Sequence, residues 1–298
     1  MATRAPVRAR APTAAIERLW RQRRRLLGRL ATWLFIAVFL LPIVWAVSAS
    51  FKTRIELYSE LPSLLPAHPT LANYQFNFQR MPEFFLQFRN SMTVALGAVA
   101  IQIVCASLAG YAFARLRFPG RDLLFYTLVM LIFVPRAGGL MAQYEVMAFL
   151  GLRNSLLGLM LSFSAGLAVP IFIMRQTFLN IPSAFEEAAL IDGCNRWQAF
   201  WRIIAPMGTG GMVAVGLFEF IRVWGDFLFT LTMVDRRELF TLGIGIAMLY
   251  TDSNLLEGEF TTYGTQAAGY LLYAAPVILF YVVLQKWFVR GLSEGLKL

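Results

Sequence analysis

Apolar residues along this chain come in long unbroken runs rather than in the two-residue alternation of a half-buried strand. A hydrocarbon core about 30 Å thick needs about 20 mainly apolar residues per helix. Six segments reach that length: Leu30 to Ser50, Ser91 to Ala114, Leu123 to Ala142, Ser155 to Arg175, Thr209 to Met233 and Ala267 to Phe288. The pattern therefore predicts an all-α membrane protein with six transmembrane helices. Charged residues gather in the breaks, as expected where a charge at the bilayer centre is costly. Pro135 and Pro170 fall inside the third and fourth segments and predict kinks or local unwinding there.

The breaks carry structure of their own. The loop from Lys52 to Asn90 is punctuated by Pro62, Pro66, Pro69 and Pro82. It predicts irregular backbone, with a brief helix around "MPEFFLQFRNS" leading into the second span. The stretch "ELFTLGIGIAMLY" is apolar but too short to cross a bilayer, which suggests a re-entrant or partly inserted element. Ala106 and Gly110, then Gly158 and Gly166, then Gly208, Gly210, Gly211 and Gly216 mark faces where helices can approach closely, within the bundle or between subunits.

Composition agrees with this reading: 58% of the 298 residues are hydrophobic and 15% are charged. The net charge of +10 would suit a nucleic-acid partner, but the placement of the cations argues for a membrane. Nine arginines lie between Arg4 and Arg29, before the first span. Arg115, Arg117 and Arg121 follow the second span, Arg175, Arg196 and Arg202 follow the fourth, and Lys286, Arg290 and Lys297 close the chain. The opposite loops hold fewer: Lys52, Arg54, Arg80, Arg89, Arg136, Arg153, Arg236 and Arg237. The positive-inside rule puts both termini in the cytoplasm. Two regions result: a basic cytoplasmic segment over 1–29, with a short interfacial helix from "AAIERLWRQRRRLLGRL" that can meet membrane lipid, and a transmembrane domain over 30–298. The first apolar run is longer than that of a signal peptide and no small-residue cleavage pattern follows, so it reads as a retained helix. No soluble domain interleaves basic and aromatic residues, so nucleic acid is not an expected partner. Cys105 and Cys194 sit on incompatible sides for a disulfide.

Several chemistries are missing. No Gly-Lys dipeptide occurs, so the phosphate-cradling loop of an ATPase cannot be built. His68 is the only histidine, which provides no cluster of metal ligands. "GLSEG" from Gly291 to Gly295 matches a nucleophile elbow in letters alone, since the chain ends three residues later with no acid and histidine to follow. No cofactor is expected in this chain.

The most informative stretch is the loop 181–206, "IPSAFEEAALIDGCNRWQAFWRIIAP". Ser183 and Glu186 are spaced as a capping box, and Glu186 and Glu187 both lie in the first turn, where the helix dipole favours acid. Gly193 supplies a helix stop. Trp197, Phe200, Trp201 and Ile204 then recur at i, i+3, i+4 and i+7, predicting a second, amphipathic helix that Pro206 ends or kinks. From the physics alone, this is equally a well-capped loop helix.

"EAALIDG" followed by "FWRIIAP" resembles the EAA signature of permease subunits in binding-protein-dependent ATP-binding-cassette importers. Glu187, Ala188, Ala189, Gly193, Ile203 and Pro206 match at the family spacing, and Ala205 stands where the family usually has Leu. "GYAFARLRFPGR", "LGLRNSLLGLML", "WGDFLFTLTMV" and "QKWFVRGLSEGLKL" resemble the carbohydrate-uptake branch, specifically its maltose-type permease subunit. Arg136 with the paired glycines after it, and Gly225 where Asn is more usual, depart from that pattern.

The resemblance implies the type I importer permease fold, with residues 181–206 forming a cytoplasmic coupling helix seated in an ATPase cleft. Glu186, Glu187, Ala188, Ala189, Asp192, Gly193, Ile203 and Pro206 are the implied coupling residues. The implied partners are a second homologous permease subunit, two cytoplasmic ATPase subunits that hold ATP and Mg, and an extracytoplasmic solute-binding protein. The implied setting is the cytoplasmic membrane of a bacterium or archaeon, with a sugar or related polar solute as cargo. Gln102, Glu219, Arg222 and Asp226, polar within or near spans, are candidates for the solute path, although Glu219 and Arg222 also suit an intrahelical pair. The alternative class is a secondary carrier driven by an ion gradient. It would need its own ion site and would usually show an internal repeat of spans, and neither is visible.

Overall fold

The computed structural model of the chain describes residues 13–59, 63–134, 136–251 and 263–295. Helix α1 (Thr13–Ser50) runs from the described part of the basic segment, 13–29, into the first apolar run without a break at residue 29. Two short helices, α2 (Arg54–Leu57) and α3 (Ala72–Arg80), follow. Helix α4 (Phe84–Arg115) then absorbs the brief helix expected around "MPEFFLQFRNS", so the second span begins earlier than its apolar run. Helices α5 (Arg121–Met130) and α6 (Leu140–Phe149), then α7 (Leu156–Ser164) and α8 (Ala168–Leu179), occupy the stretches expected as the third and fourth spans. Helices α9 (Ala184–Ile191), α10 (Arg196–Ala199) and α11 (Ala205–Met207) form the loop between the fourth and fifth spans. Helices α12 (Thr209–Trp224) and α13 (Leu228–Met233) occupy the stretch expected as the fifth span, α14 (Leu242–Thr251) follows it, and α15 (Tyr263–Gly295) is the last described helix.

Among the described residues, three helical segments are continuous, long and apolar enough to cross a membrane: Gln22–Ser50, Phe84–Arg115 and Tyr263–Lys286. Two bent helix pairs pass the same test when each is taken as one element. Helices α7 and α8 meet at 52°, and α12 meets the preceding α10–α11 stretch at 70°. The third apolar segment, where a kink or local unwinding is expected, is two helices separated by a 3-10 turn at Leu131–Phe133 and another at Arg136–Gly139. Pro135, the expected cause, lies outside the described residues, as does the side chain of Arg136. The fourth span bends at Ala165–Leu167, just before Pro170 at the third position of α8. Proline has no N–H for the carbonyl four residues earlier, so the helix cannot run straight through Gly166. The fifth span also breaks, between Trp224 and Leu228.

Helix α4 is the centre of the bundle, packed against α7, α8 and α12. Glycine makes these approaches possible. A Cβ on Gly110 would lie 2.7 Å from Met174 Cβ and 2.9 Å from the Arg175 backbone nitrogen, and one on Gly208 would lie 2.5 Å from Phe178 Cε1. These small residues serve packing within the chain. Helix α14 is too short to cross a bilayer. It buries Leu242, Ile244 and Ile246, and Ser91 accepts its first N–H at 2.8 Å. Backbone at membrane depth is tolerated when protein covers it in this way. The α7 and α13 ends are clasped together: Asn154, at φ 52°, donates its N–H to the Met233 carbonyl at 3.1 Å, and its side-chain oxygen accepts the Asp235 N–H at 2.6 Å. "GLSEG" is helical throughout, with no elbow.

Candidate functional site: a tethered loop helix and a broken polar layer

The loop helix α9 ends as the sequence predicts. Gly193 adopts φ 86°, Cys194 donates its N–H to the Ala189 carbonyl at 3.0 Å, and Gly193 donates to that of Leu190 at 3.2 Å. These two bonds make a Schellman stop, which needs the left-handed conformation that only glycine adopts cheaply.

Its start differs from the expectation. Ser183 is already helical and makes no side-chain cap. Glu186 does not reach back to it. Glu186 is turned inward and buried, where Oε1 accepts the Tyr111 hydroxyl at 2.6 Å and Oε2 lies 3.8 Å from Arg115 Nε. Arg115 in turn donates to the Phe178 carbonyl at 2.9 Å and to the Ile181 carbonyl. One carboxylate thus ties α9 to the end of α4, and one guanidinium ties α4 to the end of α8. The capping box forms one helix later, at Asn195 and Gln198.

The rest of the loop sorts by face. Ala189 is buried beside Glu186 on the bundle side, one turn along. Glu187, Ala188, Asp192 and Gly193 are exposed. Phe185 is exposed as well, and Ile191 is 85% exposed, the most prominent apolar side chain of the loop. The aromatic face expected on the second helix is split. A π-helical turn at Phe200–Ile204 changes the residues per turn, so Phe200 and Ile204 enter the core with Ala205, while Trp197 and Trp201 stay exposed. Ile203 packs partly against that core, Pro206 is exposed, and the chain turns at Gly208.

The polar candidates within the spans meet at the α7–α8 break. Leu167 gives its N–H to Ala165, and Pro170 has none for Gly166, so the Phe163 and Gly166 carbonyls lose their normal helical donors. Gln102, fully buried, donates to both, at 3.1 and 3.4 Å. Arg222 donates to the Phe163 carbonyl at 3.0 Å and pairs with buried Glu219 one turn away. Three of the four candidates thus brace a break. Asp226 does something else. It is half-buried, its Oδ1 caps α13 by accepting the Thr230 N–H at 3.0 Å and hydroxyl at 3.1 Å, and it lines a cavity of about 240 Å³. Gln143 and Ser162 line the same cavity.

Sequence reasoning missed Tyr111, Arg115, Ile191, Gln143 and Ser162. Tyr111 and Arg115 lie in "GYAFAR", one of the matching motifs, and the i, i+3 spacing of Glu186 with Ala189 was the available sign that Glu186 faces inward. Among the described residues no cluster of His, Cys, Asp and Glu could hold a metal ion.

The family model described as "Binding-protein-dependent transport system inner membrane component" matches residues 13–294. The galactooligosaccharides transport system permease protein GanQ of Bacillus subtilis (strain 168) is 32% identical over 266 residues, covering 88% of this chain and 91% of the relative. The trehalose transport system permease protein SugB of Mycobacterium tuberculosis (strain CDC 1551 / Oshkosh) is 30% identical over 263 residues, covering 88% and 93%. Among solved structures, a chain of a bacterial ABC transporter involved in import of the acidic polysaccharide alginate superposes with a TM-score of 0.78 at 21% identity, covering 95% of this chain and 100% of that one. That likeness establishes the type I importer permease fold.

Proposed function

This chain belongs to the family of binding-protein-dependent transport system inner membrane components, and from that premise we propose how it works. It is a permease subunit of an ATP-binding-cassette importer, and nothing in its relatives favours an ion-gradient carrier. In our reading it forms half of the pathway with a second, homologous permease. Two cytoplasmic ATPase subunits bind ATP and Mg, and an extracytoplasmic binding protein delivers the solute. Both termini face the cytoplasm of a bacterium or archaeon. The cargo is a sugar or a related polar solute, as the names of the relatives suggest, though those names cover neutral and acidic saccharides alike.

The observation that carries the mechanism is the two-faced setting of α9. Glu187, Ala188, Ile191, Asp192 and Gly193 present an exposed surface for the ATPase. On the other face, Glu186 binds the helix to its own bundle through Tyr111 and Arg115, with Ala189 buried beside it. A displacement applied to the exposed face therefore moves the ends of α4 and α8 together with α9. Ile203 and Pro206 carry the motion into α12 through the turn at Gly208. Alternating access is then a population shift driven from outside this chain. Of the candidate path residues, Asp226 faces the solute, while Gln102, Glu219 and Arg222 hold the broken wall in shape.

The test is co-purification of the tagged chain in mild detergent, with ATPase activity measured on the eluate and uptake measured in cells. Recovery of a second permease and an active ATPase is expected, and Glu187→Lys leaves the chain inserted but abolishes uptake. Recovery of this chain alone, or normal uptake by Glu187→Lys, contradicts the reading.

A further inference from the structure

We propose that the short loop between α4 and α5 holds the phosphate headgroup of an anionic phospholipid, at a site separate from the basic segment of α1. The inference takes from the importer reading only the side of the membrane on which this loop lies, and its test does not depend on transport. Residues 116–120 leave α4 at the same end of the bundle as α9, because Arg115, the last residue of α4, reaches the Phe178 and Ile181 carbonyls there. Gly120, at φ 77°, turns the chain into α5. Between the two helices lies an open cleft of about 390 Å³, lined by Arg117, Phe118, Gly120, Arg121, Asp122 and Leu123.

Aromatic packing fixes the shape of this loop. Phe118 packs on Phe113 at 5.9 Å, Phe113 on Phe125 at 5.5 Å, and Phe125 stacks on Phe172 of α8 at 6.4 Å. Arg175 lies over the Phe125 ring at 4.1 Å and donates to the Phe113 carbonyl at 3.4 Å, which engages it in the same support. A loop already ordered in this way loses less entropy when it binds.

The arginines of the stretch have different surroundings. Arg115 is turned inward to Glu186. Arg117 is exposed and makes no hydrogen bond or ion pair among the described residues. Arg121 pairs with its neighbour Asp122 at 3.0 Å, but the two side chains are 31% and 63% exposed, and a pair so open to water contributes little. A phosphate can therefore take over Arg121 while Asp122 stays in water. Two guanidinium groups on one cleft match the oxygens of a phosphodiester, which arginine binds through paired N–H donors. Two cations against one carboxylate leave the cleft positive, which favours a headgroup of net negative charge over a zwitterionic one that brings its own cation.

The surface that continues from the cleft makes the ligand a lipid rather than a free ion. Leu123 lines the cleft, and Leu123, Tyr126 and Met130 follow one another at i, i+3 and i+7 along α5, all well exposed. This apolar stripe, about 10 Å long, suits an acyl chain descending from a headgroup held at Arg117 and Arg121. Basic pockets beside membrane-spanning helices on the cytoplasmic side are the places where anionic headgroups bind.

The experiment uses the full chain in whatever assembly it purifies. Hydrogen exchange over 116–124 is compared in nanodiscs of phosphatidylcholine alone and in discs with phosphatidylglycerol added. Phosphatidylglycerol is expected to protect this stretch about tenfold, and native mass spectrometry is expected to show it retained in preference to phosphatidylcholine. Arg117→Gln with Arg121→Gln should weaken that retention roughly 30-fold, and Arg117→Gln alone, at a side chain with no partner to lose, about fivefold. The single variant carries the test if the double variant misfolds. Arg24→Gln with Arg25→Gln, on the exposed surface of α1, should leave protection over 116–124 unchanged. Equal protection by both lipids, equal protection by inorganic phosphate added to phosphatidylcholine discs, an undiminished phosphatidylglycerol effect in Arg117→Gln, or protection that follows a bound ATPase partner irrespective of lipid overturns the site. An active importer without the phosphatidylglycerol effect refutes the lipid site alone, whereas the effect in a chain that purifies without partners refutes the importer reading alone.

Discussion

Replacing Glu186 with alanine isolates the tether between the loop helix and the bundle. The substitution removes the acceptor of the Tyr111 hydroxyl at 2.6 Å and the countercharge 3.8 Å from Arg115. Both charged side chains are largely buried, at 13% and 9% exposure, so solvent screens the pair little. Deleting one member of a buried pair costs about 3–5 kcal/mol. Arg115 keeps the Phe178 and Ile181 carbonyls as acceptors, so the low end, about 3 kcal/mol, applies here. That energy corresponds to a roughly 150-fold rise in the population of detached α9. Hydrogen exchange of the α9 amides reads this population directly, because protection tracks the local opening free energy. A loss of about two orders of magnitude in protection over 184–191 is expected, with ATP hydrolysis retained and uptake reduced. Glu186→Gln keeps an acceptor for Tyr111 and should lose only about one order. If Glu186→Ala leaves both α9 exchange and uptake unchanged, the tether does not transmit motion and the mechanism is wrong.

Other perturbations test the packing and the breaks. Gly110→Val places atoms against Met174 and the Arg175 backbone, which cannot retreat as a flexible side chain can. Overpacking should destabilise the chain by about 1–3 kcal/mol, read as a lower melting temperature in detergent. Gln102→Leu leaves the Gly166 carbonyl without its side-chain donor and weakens that of Phe163, costing about 1–3 kcal/mol by the same measurement. Gly193→Ala forces an L-residue to φ 86° and should cost about 1–2 kcal/mol, with faster exchange at the end of α9 and partial recovery in Gly193→Asn.

What was legible in the sequence depended on how local its cause was. The long apolar helices α1, α4 and α15 follow from uninterrupted runs, and the stop at Gly193 follows from one residue's conformational freedom. The break near Pro170 was legible as a kink because a missing N–H acts within one turn. Its support was not legible, since Gln102 lies 61 residues from Phe163 in the chain. The capping box at Ser183 shows the same limit. The spacing was correct, but a Tyr111 hydroxyl and the Arg115 charge, both from α4, outbid a single backbone N–H for the Glu186 carboxylate. The aromatic face at Trp197 to Ile204 assumed an α-helical period, which the π turn at Phe200–Ile204 replaces. Two neighbouring glutamates therefore have opposite surroundings: Glu186 is buried in the bundle and Glu187 lies on the open face.

The central claim, that the open face of α9 is where a separate ATPase acts on this chain, is tested most directly by site-specific photo-crosslinking. Ile191, at 85% exposure, is the position for the photoreactive residue, and irradiation is carried out in native membranes. The account predicts a crosslinked adduct of this chain with an ATP-hydrolysing subunit, its yield changing when ATP and Mg are added. An adduct only with lipid, or none with any nucleotide-binding protein, would contradict it.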